Sequence, residues 1–246
     1  MRDLSPLPGW LAARILHIRP EAMVIDKPQG LPIDAGRGGP RGSNASLADW
    51  LPLLQLGKRH LPQPAHRLDT DTAGCLVLGR TKPALAALGA LFAGRLARKT
   101  YWAVVAGHPG SDHGVIDRPL RKVSTREAGW RMEAHPEGQP ARTAWRLLGT
   151  DGARSWLELR PQTGRTHQLR VHCTLLGCPI LGDPRYGTAD PGGMHLLARA
   201  IALPLGPEFG GALSATAPIP AAMAPAFLSC GAKEADVASA QGVTKV

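Results

Sequence analysis

The chain has 246 residues, 43% hydrophobic and 20% charged, with a mean hydropathy of -0.11. That balance excludes a wholly unstructured chain and leaves room for a sizeable core. Lysine and arginine number 29 against 19 acidic residues, a net charge of +10 and a pI of about 10.1, which makes a polyanion, nucleic acid first, the expected partner. No apolar run reaches the roughly 18–20 residues of a membrane span, and no polybasic block or basic amphipathic helix stands out, so a membrane partner is not expected. The first residues lack the apolar core of a signal peptide, which predicts a cytoplasmic protein. Cys75, Cys173, Cys178 and Cys230 form no C-x-x-C pair and are expected as reduced thiols.

In chain order, Ala22 to Asp26 predicts a short buried strand ended by the turn Lys27-Pro28-Gln29-Gly30. A Gly/Pro/Arg-rich segment, Gly36 to Gly42, reads as mobile, and Ser46 as the cap of a helix over Leu47 to Leu56, with Pro52 against its far half and Gly57 closing it. The polar segment Pro64 to Gly74 runs into Cys75-Leu76-Val77-Leu78, read as a buried strand. Pro83 suits a first helical turn, and Ala84 to Ala97 has leucines at helical spacing, followed by a strand over Tyr101 to Ala106. Thr143 to Leu148 and Ser155 to Arg160 read as strands around the hairpin signal Asp151-Gly152. Thr166 is the expected cap of a helix over His167 to Leu176, stopped by Gly177, and Ala232 to Val246 reads as a frayed tail. Short strands with few helices between them predict an α+β protein, one catalytic-size domain over residues 1–231 with a tail over 232–246.

The charge is concentrated. Lys58, Arg59, Arg67, Arg80, Lys82, Arg95, Arg98 and Lys99 face only Asp69 and Asp71, so this stretch carries six of the net ten positive charges. Arg95, Arg98 and Lys99 read either as a solvated helix end favoured by the dipole or as phosphate contacts. Asp69, in a turn at the mouth of an apolar strand, reads as a carboxylate held ionised by nearby cations, suited to attack at a sugar or base carbon, or else as a turn-capping residue. Two metal readings are weaker. Asp69 and Asp71 with Asp183 and Asp190 would make a two-metal nuclease, while His167, His172, Cys173 and Cys178 lack zinc spacing. Gly164-Arg165-Thr166 before a helix is an anion-holding corner for a phosphate or a protein carboxylate.

Together these segments strongly resemble the RluA-type family of pseudouridine synthases, over about Val24 to Arg199. The resemblance rests on Val24 to Leu31, on His66-Arg67-Leu68-Asp69-Thr70-Asp71-Thr72-Ala73-Gly74, and on Arg98-Lys99-Thr100-Tyr101. Thr163-Gly164-Arg165-Thr166-His167-Gln168-Leu169-Arg170-Val171-His172, Gly182 to Gly187 and His195 to Ala198 complete it. It implies a mixed, mostly antiparallel central sheet flanked by helices and loops, with Asp69 acting on a flipped-out uridine. Tyr101 would pack on the uracil, Arg165 would pair with Asp69, and Arg67 would fill the vacated place in the RNA stack. RNA contacts are implied at His66, Arg67, Leu68, Lys99, Thr166, His167 and Arg170. No cofactor and no metal are expected, and the partner is a tRNA or rRNA stem-loop bound by a monomer. Thr70 and Cys75 depart from the motif's usual Lys and Leu, and the expected chain has no N-terminal S4-type domain, which shifts weight towards a small stem-loop. The competing class is a catalytically silent RNA-binding protein or chaperone on the same fold, which would not require Asp69, Tyr101 and Arg165 together.

Overall fold

The computed structural model describes residues 7–33, 46–125 and 129–237. In chain order it contains α1 (Gly9–Ala12), β1 (Ile15–Ile18), β2 (Ala22–Lys27), α2 (Leu47–Trp50), β3 (Gln63–Pro64), β4 (Ala73–Gly79) and α3 (Lys82–Ala93). There follow β5 (Arg98–Ala106), β6 (His113–Asp117), β7 (Leu120–Thr125), β8 (Gly129–Ala134), β9 (Arg142–Thr150) and β10 (Arg154–Pro161). The series ends with α4 (Gln168–Leu175), β11 (Leu196–Leu203), β12 (Leu213–Thr216), α5 (Ala224–Ser229) and α6 (Glu234–Val237). The protein is thus mixed α and β, rich in antiparallel strand pairs and poor in helix, as expected. Its described residues divide into two compact units, the first drawn from residues 7–33, 46–99 and 198–218 and the second from 100–125, 129–197 and 219–237.

In the first unit β2 pairs antiparallel with β1 on one side and with β4 on the other, Ala22 opposite Gly79 and Lys27 opposite Gly74. All seven residues of β4 are buried, which is why its sequence is a continuous apolar run rather than an alternation. Helix α3 presses on the end of that strand. A Cβ on Gly79 would lie 2.8 Å from the Cα of Leu85, so only glycine fits there. Thr81 caps α3 by accepting from the Ala84 amide.

Asp26 has a cost built into this unit. Its carboxylate is 3.5 Å from Arg14, yet one oxygen is buried without a hydrogen-bond partner. Burial pushes the carboxyl up to about 6, against the opposing pull of Arg14 and Lys27. A carboxyl raised in the fold binds more protons there than when unfolded, so its contribution is most favourable below the unfolded value near 3.9 and is lost as pH rises through about 6. Asp26→Asn is therefore expected to stabilise the protein by about 1–3 kcal/mol at pH 7.5, with the gain shrinking towards pH 4. Thermal melts of both proteins across that range check it, and a gain that persists unchanged at pH 4 would contradict it.

The second unit is built on the antiparallel order β5, β10, β9, β6, with β7 and β8 forming a separate two-stranded hairpin. The hairpin between β9 and β10 forms as the Asp-Gly signal predicts, with Asp151 Oδ1 accepting from the amides of Ala153 and Arg154. Its core joins Ala103, Val105, Leu157 and Leu159 to Leu169 and Cys173 of α4, and Tyr101 packs against it.

Several boundaries differ from expectation. The predicted helix over Leu47 to Leu56 stops at Trp50 and resumes only as a single 3-10 turn over Leu53–Gln55, because Pro52 has no amide to continue the ladder. Ser46 does cap it, reciprocally with Asp49. Helix α3 ends four residues early, where Gly94 and the left-handed Arg95 (φ 59) turn the chain. Arg98 and Lys99 consequently lie on β5, and the solvated-helix-end reading does not apply to them. Thr166 is not the cap of α4, since His167 occupies that place in a left-handed conformation and makes no side-chain capping bond. Within the predicted tail, Glu234–Val237 forms a helical turn docked by a bond from the Ile219 amide to the Asp236 carbonyl. The Gly36 to Gly42 segment and residues 238–246 lie outside the described residues.

Candidate functional site

Asp69 sits in the loop between β3 and β4, and that loop is fastened at both ends within the first unit. At its start the Ala65 amide donates to the Val77 carbonyl (2.9 Å) and the Val77 amide donates to His66 Nε2 (3.0 Å). The His66 ring stacks on Phe92 of α3, with centroids 4.5 Å apart. Burial, with Lys99 adding to it, pushes His66 down to about 3, so the ring is neutral at physiological pH with its proton on Nδ1. His66 therefore serves as an acceptor that shapes the loop. Leu68 is buried, while Arg67 is exposed.

At its far end the Thr72 amide donates to the Asp69 carbonyl (3.1 Å), and the Thr70 carbonyl accepts from the Gly30 amide (2.9 Å) and from Lys27 Nζ (2.8 Å). Lys27 has 0% of its surface exposed. Its other two acceptors are the carbonyls of Pro28 and Leu31, both at 2.9 Å, so three oxygens match the three N–H bonds of an ammonium. Burial pulls Lys27 down to about 7, against Asp71, Asp69 and Asp26, which favour its charge. The Lys-Pro-Gln-Gly turn, read from sequence only as punctuation, thus holds the backbone one residue beyond Asp69. Lys27→Met would orphan the carbonyls of Pro28 and Leu31 and leave Thr70 with only the Gly30 amide, and is expected to cost about 2–4 kcal/mol of stability. Denaturant titration checks this, and an unshifted midpoint would contradict it.

In the second unit the segment Thr163 to His172 forms a polar network. Thr163 Oγ1 accepts from the Arg142 amide (2.9 Å) and donates to Gln168 Oε1 (2.6 Å), which also accepts from the Arg165 amide (3.0 Å). Gln168 Nε2 donates to the Arg142 carbonyl and to Thr143 Oγ1, both at 3.0 Å, and Thr143 Oγ1 lies 2.9 Å from His172 Nδ1. His172 Nε2 faces the Arg118 carbonyl at 3.3 Å. Buried Gln168 therefore ties the Arg165 loop to β9, and the Arg165 amide expected to await an anion is taken by a side-chain carbonyl. Arg165 is partly exposed, and its Nε donates to the Pro140 carbonyl (3.1 Å).

Arg170 is 4% exposed and forks onto Asp183, Nε to Oδ2 and an Nη to Oδ1, each at 2.7 Å. Asp183 Oδ1 also accepts from the amides of Arg185 (2.9 Å) and Tyr186 (3.1 Å). Burial alone would raise Asp183, but the Arg170 contacts and the two amides hold it below the ordinary carboxylate range. With both oxygens occupied, Asp183 is a structural anion, which removes it from the two-metal reading. His172 has a partner at each ring nitrogen, which removes it from the zinc reading. Among the described residues no group of three His, Cys, Asp or Glu is placed to hold a metal, and no helix is long and apolar enough to cross a membrane. The four cysteines are free and buried.

Of the residues singled out from sequence, His66, Arg67, Leu68, Asp69 and Lys99 belong to the first unit, and Tyr101, Arg165, Thr166, His167 and Arg170 to the second. Tyr101 lies on β5 opposite Leu159 of β10, half-buried. Sequence reasoning missed Lys27, Gln168 and Asp183 as the groups that hold these segments. The quoted motifs contain all three, but only tertiary partners reveal the job each does.

Residues 21–175 match the model of a family described as RNA pseudouridylate synthase. The chain is 42% identical over 214 residues to an uncharacterised RNA pseudouridine synthase of Zymomonas mobilis, covering 86% of this chain and 96% of that protein. It is 35% identical over 175 residues to ribosomal large subunit pseudouridine synthase D of Escherichia coli, covering 70% of this chain and 52% of that relative, so it spans about half the latter's length. The structure of human RNA pseudouridylate synthase domain containing 4 superposes with a TM-score of 0.73 at 27% identity, covering 90% of this chain and 94% of the human one. These matches agree with the ordered motifs and the antiparallel fold: the chain belongs to the RluA-type family of RNA pseudouridine synthases, which are isomerases.

Proposed function

We propose that the chain acts as one synthase domain that isomerises uridine to pseudouridine in a tRNA or rRNA stem-loop, with Asp69 as the essential carboxylate. The bond from C1′ to N1 breaks, the uracil turns, a bond from C1′ to C5 forms, the C5 proton leaves and N1 takes up a proton. Atoms balance without an oxidant, reductant or energy source, so the reading calls for no cofactor and no metal. Asp69 serves this sequence by adding to C1′, by stabilising an oxocarbenium-like centre, or by assisting a glycal intermediate. Arg165 holds the carboxylate ionised. Tyr101 packs on the uracil and takes part in proton transfer, and exposed Arg67 fills the gap left in the RNA stack.

The observation that carries this reading is the matched span 21–175, which contains Asp69, Tyr101 and Arg165 together. The fastening of the Asp69 loop by Lys27 and His66 supports it, because a carboxylate that attacks a carbon needs a fixed position. The net charge of +10 supports an RNA partner bound through its phosphates. Incubation with unmodified tRNA and rRNA transcripts, followed by digestion and nucleoside chromatography, tests the substrate. Pseudouridine is expected from one pool at least, and its absence from both would contradict the reading.

A further inference from the structure

Around Trp130 the second unit carries a closed ring of contacts that the proposed chemistry does not use. His167 lies between Thr166 and Gln168 with φ 53 and ψ 19, a left-handed conformation that costs a non-glycine residue about 1–2 kcal/mol. Its ring stacks on Trp130 of the β7–β8 hairpin, centroids 4.9 Å apart and planes 29° apart. Its Nδ1 is 2.8 Å from the Tyr186 hydroxyl, which also accepts the Met132 amide of the same hairpin (2.9 Å). Trp130 remains 36% exposed, and Lys122 and Arg185 lie over its ring at 4.9 and 5.0 Å. Arg185 also donates to the Trp130 carbonyl. The circuit closes through Asp183, which takes the Arg185 and Tyr186 amides and the buried guanidinium of Arg170 on α4.

This ring fixes one flank of the Arg165–Thr166 segment, and Gln168 fixes the other by accepting the Arg165 amide. Strain at His167 persists only because its side-chain contacts outweigh it. We propose that His167 is a positioning residue: its ring, clamped by Trp130 and Tyr186, locks the β7–β8 hairpin to the Arg165 loop, so that the placement of Arg165 depends on the hairpin. The inference rests on the synthase reading given above.

The test is single-turnover release of tritium from bulk tRNA and rRNA fragments labelled at C5 of uridine, at saturating RNA. It compares the full chain with His167→Asn, Tyr186→Phe, Trp130→Leu and the Trp130→Leu/Tyr186→Phe double variant. Asparagine accepts the left-handed backbone but has no ring to stack, so its fold is retained. Each single variant is expected to lose about tenfold in rate per folded molecule, with a much smaller change in KM. The double variant is expected to lose little more than the worse single, because both changes act through one histidine. Melting temperatures set the folded fraction, and a purely structural role would lower them without changing the saturated rate. Wild-type rates in the folded variants, or losses that multiply in the double variant, overturn the proposal while Asp69→Asn, run alongside, is inactive. Full activity in Asp69→Asn overturns the synthase reading instead.

Discussion

Asp69→Asn is expected to lower the rate of pseudouridine formation by on the order of 10³-fold or more while leaving RNA affinity within about threefold of wild type. The two side chains are nearly isosteric, and the backbone contacts of the loop, through Thr70, Thr72 and Ala65, do not involve the carboxylate oxygens. What is lost is the anion. Binding survives because one acidic side chain among 19, on a chain of net charge +10, contributes little to the field that attracts phosphates. Single-turnover kinetics with filter binding on the same preparations measure both quantities. A variant that turns over at the wild-type rate would remove Asp69 from the mechanism, and one that is inactive only because it no longer binds RNA would make it a binding residue.

The largest effect on stability is expected at Asp183. Asp183→Ala would leave the Arg170 guanidinium, 5% exposed, buried without its partner and would free the amides of Arg185 and Tyr186 as well. Breaking one side of a buried ion pair costs about 3–5 kcal/mol, much of it the desolvation of the remaining charge. The pair also has a pH signature. Asp183 is depressed in the fold, so its contribution is present above the unfolded carboxylate value and is lost as pH falls through the folded one. Wild-type stability should therefore drop on acidification more steeply than that of an Arg170→Met/Asp183→Leu double variant, in which both charges are replaced by apolar groups. Urea titrations across the acid range check this, and parallel curves would contradict it.

These expectations show how far the sequence could be read. The apolar run of β4 and the Asp-Gly hairpin between β9 and β10 are local signals, and they appear where periodicity and turn chemistry place them. Helix ends were harder. Leucine spacing carries the α3 pattern through Leu96, but the chain turns at Gly94 and the left-handed Arg95, and nothing in the local pattern distinguishes Arg98 on a helix end from Arg98 on a strand. Thr166 is a good capping residue by type, yet His167 takes the cap because Trp130 and Tyr186, far away in sequence, hold its ring. The same limit applies to charge. Arg170, expected at the RNA, and Asp183, weighed as a metal ligand, are each other's partners inside the unit, a pairing that no spacing rule announces. Lys27 is the extreme case, a lysine with no exposed surface whose three carbonyl partners lie in two separate stretches of chain.

Isomerisation at uridine that releases the C5 proton and leaves the RNA uncut is open to one direct measurement. Wild-type protein is incubated with total tRNA and with rRNA fragments labelled with tritium at C5 of uridine, with and without chelator, and the RNA is run on a denaturing gel afterwards. Tritium release indifferent to chelator, with full-length RNA at the end, is the expected result. Tight, salt-sensitive binding with no release from either pool would contradict it and favour a silent RNA-binding protein on this fold, and chelator-sensitive cleavage would show a nuclease instead.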